Sequence, residues 1–251
     1  MVGPLTTYSV LGVQLHILQP AANLQSYAAW IEARITAAQG TQVVTCNPEM
    51  IMLAQQDPDF AQVLKAAELV IPDGAGVVWA LRRQQIGVER VPGIELAETL
   101  IRLAALRGWR VALVGGKPEV NQAAVERWQA QFPQLCLYGS HGYFSPEEEP
   151  ELLQALQSFQ PQLVLVGLGS PRQELWIQAR RGLLPAATWI GVGGSLDIWA
   201  GKKERAPRWW RDHQLEWLYR LYQEPWRWRR MLALPRFAWQ VLRDPSSRRG
   251  S

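Results

Sequence analysis

The sequence predicts an α/β fold, a parallel sheet covered by helices, followed by a C-terminal helical appendage. Short apolar runs alternate with longer stretches of helical periodicity, most junctions carry Gly, Asn or Asp, and composition changes sharply after residue 200. The 251 residues are 48% hydrophobic and 19% charged, which suits one domain of ordinary size plus an appendage and excludes intrinsic disorder.

In chain order, Tyr8–Leu18 pairs as a hairpin at a sheet edge, and a helix follows over 23–38. The strand Val43–Cys46 leads into helices at 48–56 and 58–67, with Asn47 before Pro48-Glu49 and Asp57 before Pro58 placed as N-caps. Leu69–Ile71 is the next strand; Asp73 closes this apolar run and opens a Gly-containing helix at 75–84. Helix 94–107, strand Val111–Val114, helix 118–131 and strand Cys136–Gly139 come next, then helix 147–158, strand Leu163–Val166, helix 172–181 and strand Thr188–Val192. A sheet of this kind gathers its ligand site beyond the carboxyl ends of the strands.

The sequence divides into a body, residues 1–200, and an appendage, residues 201–251. The body carries 13 basic and 17 acidic side chains, whereas the appendage carries 13 basic and 5 acidic ones and holds 6 of the 13 tryptophans. The overall charge of +4 is therefore a difference between an acidic body and a strongly basic tail. Only Lys65, Lys117, Lys202 and Lys203 are lysine, leaving 22 arginines, a residue suited to bidentate phosphate contacts. In the tail, Ala206-Pro207-Arg208 starts a helix that puts Trp210, Leu215, Trp217, Leu218, Leu221 and Tyr222 largely on one side. A second helix restarts at Glu224-Pro225 and runs to Pro235, and a third, short one covers Phe237–Leu242. Such helices lie either in a membrane interface, with Arg facing lipid phosphate, or docked on the body as a cap.

Several function classes have no support. Cys46 and Cys136 stand far apart in strand-like segments without a metal or redox spacing, as expected of buried thiols in a reducing compartment. The uncharged first 31 residues lack the basic region of a signal peptide, and the longest apolar uncharged stretch elsewhere, Gly182–Leu196, is too short to span a membrane. His16, His141 and His213 are scattered, and no H-E-x-x-H or G-x-S-x-G pattern occurs. Asp57-Pro58-Asp59 spells D-x-D between two helical segments, where a capping role fits better than a metal role.

The chemistry-bearing candidates follow strands. Thr45 and Asn47 could orient a sugar or phosphate, and Asp73 beside apolar walls could act as a general base. The turns at Gly115-Gly116, Gly167-Leu168-Gly169 and Gly191–Gly194 could bring backbone amides to a diphosphate, which makes Gly115, Gly193 and Gly194 nucleotide-binding candidates. None has full dinucleotide or P-loop spacing, which disfavours a dehydrogenase or nucleoside triphosphatase.

The stretches TCNPEM, AELVIPDGAGVVWA, ERVPGIEL, ALVGGKPEV, HGYF, LVLVGLGSPRQELWI, GVGGSLDIWAGKKERAPRWWR and LEWLYRLYQEPWRWRR, in this order over roughly residues 10 to 232, closely resemble the WecG/TagA/CpsF family of bacterial glycosyltransferases, glycosyltransferase family 26. The resemblance implies a Rossmann-like body that transfers a sugar, typically N-acetylmannosamine or its uronate, from a UDP-sugar to a polyprenyl-diphosphate-linked acceptor, with inversion and without a metal or other cofactor. By the same resemblance Asp73 matches the base that deprotonates the acceptor hydroxyl, and Thr45 and Asn47 line the sugar pocket. Arg90 and Gln173 face the diphosphate and donor sugar, Tyr143 and Asp197 hold the uridine, and Arg220, Arg227 and Arg230 of the tail close over the diphosphates. The family's PKQE is PRQE here, and TxNPE contains Cys46; neither change touches a matching residue.

The resemblance agrees with the physical reading, because charge that develops on a leaving phosphate must, without a metal, be met by Arg, backbone amides and helix ends. A lipid-linked acceptor places the protein in the cytoplasm, peripherally on the inner face of the plasma membrane. The tail's apolar face could also pack against a second copy. The rival readings are modules without catalysis that bind a membrane surface or nucleic acid. Carboxylate and polar residues at strand ends argue against the first, and an acidic body against the second.

Overall fold

A computed structural model of the chain describes residues 3–213 and 215–244. It begins with an antiparallel hairpin of β1 (Leu5–Val10) and β2 (Val13–Leu18), turned at Leu11-Gly12, both at positive φ. The body continues through α1 (Leu24–Thr36), β3 (Thr41–Cys46), α2 (Pro48–Ala54), α3 (Pro58–Ala66), β4 (Leu69–Pro72), α4 (Ala75–Arg83), α5 (Gly93–Arg107) and β5 (Val111–Gly115). It is completed by α6 (Pro118–Gln131), β6 (Leu137–Ser140), α7 (Glu149–Phe159), β7 (Leu163–Gly167), α8 (Arg172–Arg180), β8 (Thr188–Gly191) and α9 (Ser195–Trp199). The tail adds α10 (Arg208–Asp212), α11 (Glu216–Gln223), α12 (Trp228–Met231) and α13 (Ala233–Arg243), with a 3₁₀ turn at Pro225–Arg227.

Strands β3 to β8 form one six-stranded sheet in the order β4-β3-β8-β7-β5-β6, with every pairing parallel. The sequence requires that arrangement: β4, β5 and β8 are buried at every residue, and such strands need helices on both faces. The period of two sorts the side chains. Leu113, Leu165 and Ile190 enter one core with α1, α4 and α5, while Ala112, Val114, Val164 and Trp189 enter the other with Leu152, Leu156 and Ile177 of α7 and α8. Because all six strands run the same way, their carboxyl ends lie on one side of the sheet.

The hairpin is a sheet of its own beside edge strand β4, and it begins at Leu5 rather than Tyr8. His16 Nδ1 accepts the Val70 N–H at 2.9 Å, covering a backbone donor that an edge strand would otherwise leave open. Burial pushes the His16 imidazole below its ordinary range, which favours the neutral ring that can accept this bond. Asn23, Asn47 and Asp57 cap α1, α2 and α3 by accepting the N–H groups of Ser26, Met50 and Phe60. Asp57 thus takes the capping role its sequence context favoured.

Three expectations need correction. Cys46 is buried, but Cys136 is exposed just before β6. The first tail helix is broken between α10 and α11: His213 stacks on Trp209 with ring centroids 4.4 Å apart, and the Leu215 N–H turns back to the Trp210 carbonyl. Pro235 sits in the first turn of α13 instead of ending a helix, a position where its missing N–H leaves no hydrogen bond unmade. Helix α13 packs on α2 and α4 through Phe237 and Val241, both almost fully buried in the main core, so part of the tail is docked on the body. Trp217, Leu218 and Tyr222 of α11 are exposed.

At the opposite end of the sheet, Glu68 receives two hydrogen bonds from the Arg181 guanidinium and one from the Gln42 N–H at 2.7 Å. Burial raises the Glu68 carboxyl, yet these partners outweigh it and hold the group below the usual Glu range. A carboxylate lowered on folding stabilises the protein above its unfolded pKa and loses that contribution as pH falls through the folded value. Glu68→Gln should therefore cost about 1 kcal/mol at pH 7, a figure discounted for partial exposure. The deficit should shrink below about pH 4, as followed by urea melts across pH.

Candidate active site

The carboxyl ends of β3, β4, β7 and β8 open into a cavity of about 590 Å³ whose lining includes Thr45, Asn47, Asp73, Arg90, Gln173, Gly193 and Gly194. The loop from Glu89 to Pro92 and the tail close its sides. Tail residues Lys203, Arg205, Glu216, Glu224 and Arg236 are part of the wall.

Asp73 follows β4 directly, and its N–H continues the parallel ladder to the Cys46 carbonyl at 2.8 Å. Its side chain does not cap α4, whose N-cap is Gly74 without a side-chain bond. The carboxylate crosses instead to the start of α5. Oδ2 accepts the Gly93 N–H at 3.3 Å, and Oδ1 lies 3.5 Å from Arg90 Nε. Its immediate neighbours are thus a guanidinium and a helix N-terminus rather than the apolar walls expected from the sequence.

Arg90 in turn donates to Glu216 of α11 at 2.5 Å. Burial works against the charge of this guanidinium, but Asp73 and Glu216 outweigh it and hold Arg90 above its ordinary range. Further ion pairs at the rim join the tail to Glu95 and Asp197 of the body, and one closes within the tail. Arg205 pairs with Glu95 in the first turn of α5, and Lys203 pairs with Glu224 at 2.6 Å and with Asp197 at 3.6 Å.

Asn47 both caps α2 and lines the cavity, so the structural and functional readings of that residue coexist. Thr45 packs on the start of α5: a Cβ on Gly93 would fall 2.7 Å from Thr45 Oγ1 and 3.3 Å from its Cβ and Cγ2. Across the cavity, Gln173 in the first turn of α8 accepts the Gly193 N–H at 3.0 Å and donates to Glu174 Oε1 at 2.7 Å. Glu174 is buried, and burial raises its carboxyl even though hydrogen bonds from Gln173 and Ser170 oppose the shift. Burial also pushes the Cys46 thiol up, with the charges of Glu174 and Asp73 adding to the effect. Cys46 is therefore an unreactive neighbour of the site.

The structure brings seven of the sequence-predicted residues together and leaves others apart. Gly115 ends β5, packed on the Gly167 backbone, and Tyr143 lies exposed in the loop after β6. Asp197 sits on α9, connected to the cavity rim by Lys203. None of these three is in the cavity lining. The side chains of Arg220, Arg227 and Arg230 lie outside the described residues; their backbones belong to α11, the 3₁₀ turn and α12 in that order. Sequence reasoning missed Glu216 and Glu174. The only signal for Glu216 was an acidic residue inside an aromatic, basic segment, and Glu174 was hidden beside Gln173 in the PRQE stretch.

A parallel α/β sheet with a carboxylate, a paired arginine and glycine-rich turns at its strand ends defines an α/β enzyme with a polar substrate cavity. The chain belongs to the glycosyl transferase WecG/TagA/CpsF family, whose model matches residues 8–251. It is 34% identical over 231 residues, 91% of this chain and 90% of the relative, to the N-acetylglucosaminyldiphosphoundecaprenol N-acetyl-beta-D-mannosaminyltransferase of Bacillus subtilis (strain 168). A protein of the same name from Bacillus spizizenii is 34% identical over 225 residues, 88% of this chain and 87% of that relative. The protein is accordingly a glycosyltransferase.

The contact between Gly93 and Thr45 can be tested directly. Gly93→Ala should cost about 1–3 kcal/mol by overpacking, and adding Thr45→Ala should recover part of that loss in a denaturant melt.

Proposed function

We propose that the protein transfers an N-acetylmannosamine-like sugar from a UDP-sugar to a polyprenyl-diphosphate-linked N-acetylglucosamine acceptor, with inversion and without a metal ion. The observation that carries this reading is Asp73, set at a strand end between Arg90 and the start of α5 and facing a cavity large enough for a sugar diphosphate. The names of the two relatives supply the acceptor and the sugar.

Asp73 takes the proton of the acceptor hydroxyl as its oxygen attacks the anomeric carbon. The bond from that carbon to the UDP oxygen breaks, and negative charge grows on the leaving phosphate. Arg90, the Gly194 N–H, and the tail arginines Arg220, Arg227 and Arg230 meet that charge. Thr45 and Asn47 hold the sugar, and Gln173 faces the donor sugar and diphosphate. Tyr143, Asp197 and Gly115 extend the donor site toward the uridine.

The tail brings the enzyme to the inner face of the plasma membrane, where the lipid-linked acceptor lies. In support, none of the described helices is long and apolar enough to cross a membrane, whereas Trp217, Leu218, Tyr222, Trp226, Trp228 and Trp239 of the tail are exposed. Aromatic residues of this kind sit at headgroup level in interfacial helices. Association of these faces with a second copy is the competing outcome, and no nucleic-acid partner is proposed.

The test uses purified full-length protein, UDP-N-acetylmannosamine and a short-chain polyprenyl-diphosphate N-acetylglucosamine. Asp73→Asn should lower transfer by about 10²–10⁴-fold while UDP binding, followed by calorimetry, stays unchanged. Transfer by the variant at the wild-type rate would remove Asp73 from the role of base. Chelation with EDTA should leave the wild-type rate as it was; a rate lost on chelation and restored by a divalent cation would contradict the metal-free reading.

A further inference from the structure

One buried ionisable group beside the cavity has no part in the chemistry described so far. Glu174 is 2% exposed and directly follows Gln173, itself 5% exposed. An amide side chain such as Gln173 can sit in two flips that exchange its oxygen and nitrogen, and only its partners select between them. Here both partners are fixed. The Gly193 N–H can only donate, so it takes Gln173 Oε1 at 3.0 Å; Glu174 Oε1 takes the Nε2 end at 2.7 Å.

The surroundings leave this pair little freedom. A Cβ on Gly191 would fall 2.4 Å from Gln173 Nε2 and 2.9 Å from Glu174 Oε1, so the β8 backbone passes directly against both side chains. Gln42 Nε2 donates to the Glu174 carbonyl at 3.2 Å, anchoring the first turn of α8 to β3. Burying a carboxyl group is costly, and burial does raise this one, so an apolar residue of similar size would be the less expensive filler if packing were its whole role. With one Nε2 hydrogen given to Glu174, the amide retains a second N–H.

We propose that Glu174 is a positioning residue for the transfer reaction: it locks the Gln173 carboxamide in the flip that presents an N–H to the sugar diphosphate of the donor. The inference rests on the placement of Gln173 at the donor in the preceding section. It adds that this contact depends on an acceptor behind the amide, which Glu174 supplies.

The experiment compares Glu174→Met, Glu174→Gln, Gln173→Ala and the double variant Gln173→Ala/Glu174→Met, with donor and acceptor KM, kcat and thermal melting measured for each. Met and Gln both keep the volume of the buried side chain, but only Gln keeps an acceptor for Nε2. Glu174→Met should raise the donor KM about tenfold with the acceptor KM unchanged, and Glu174→Gln should stay within about threefold of wild type. The double variant should be no worse than Gln173→Ala alone. A donor KM at the wild-type level in Glu174→Met, with or without a lower melting temperature, marks a purely structural role and overturns the inference. Additive losses in the double variant do the same while leaving Gln173 at the donor. A wild-type donor KM in Gln173→Ala overturns the placement of Gln173 itself, and the inference with it.

Discussion

The Arg90 guanidinium is clasped between two carboxylates that come from opposite ends of the sequence. Asp73 reaches it from the end of β4, and Glu216 reaches it from α11 of the tail. All three side chains are mostly withdrawn from water, at 18% exposure for Arg90, 23% for Asp73 and 5% for Glu216. A charge in such a position is tolerated only while its partners stay; removing one partner of a buried pair costs about 3–5 kcal/mol. The same contact therefore orients the Asp73 carboxylate, fixes the loop ahead of α5 and holds α11 at the cavity. The cavity carboxylate Asp73 and helix α11 of the tail thus meet on one side chain.

This arrangement gives the charge division a structural meaning. The body is acidic on average, yet its cavity rim meets the basic tail through defined pairs, Arg90 with Glu216, Arg205 with Glu95, and Lys203 with Asp197. The pairs run in both directions: the tail contributes carboxylates as well as cations to the rim. Phe237 and Val241 add apolar anchorage on α2 and α4, while Trp239 on the same helix faces outward with Arg243 stacked over its ring at 3.7 Å. One helix thus docks by one face and leaves an aromatic, basic face exposed, so the two alternatives that periodicity left open for the tail are compatible.

Much of the body was legible in the sequence because its signals are local. Apolar runs such as Val111–Val114 could only be buried strands, and Asn47-Pro48 and Asp57-Pro58 announced the helices they cap. The strand-end positions of Thr45, Asn47 and Asp73 followed from the same alternation. The tail was less legible because its boundaries are set by contacts: the Leu215 N–H turns back to the Trp210 carbonyl where a helix of continuous periodicity breaks, and Pro235 is accommodated because the chain restarts there. The carboxylates Glu216 and Glu174, partners of Arg90 and Gln173, were hidden for the same reason. Nothing in the spacing of Glu216, more than a hundred residues from Arg90, or in Glu174 beside Gln173 reports that a fold will bury a carboxylate against them. Cys136 was misplaced because its apolar neighbours suggested a covered strand, whereas β6 is the outer edge of the sheet.

The dependence of the tail on Arg90 is tested most directly by amide hydrogen exchange on the full-length Arg90→Gln variant. Losing the charge that pairs with Glu216 should speed exchange across α11, residues Glu216–Gln223, while β3, β5, β7 and β8 keep the protection they have in the wild type. Unchanged exchange in α11 would show that the tail stays docked without this clasp and would contradict the central place given to Arg90.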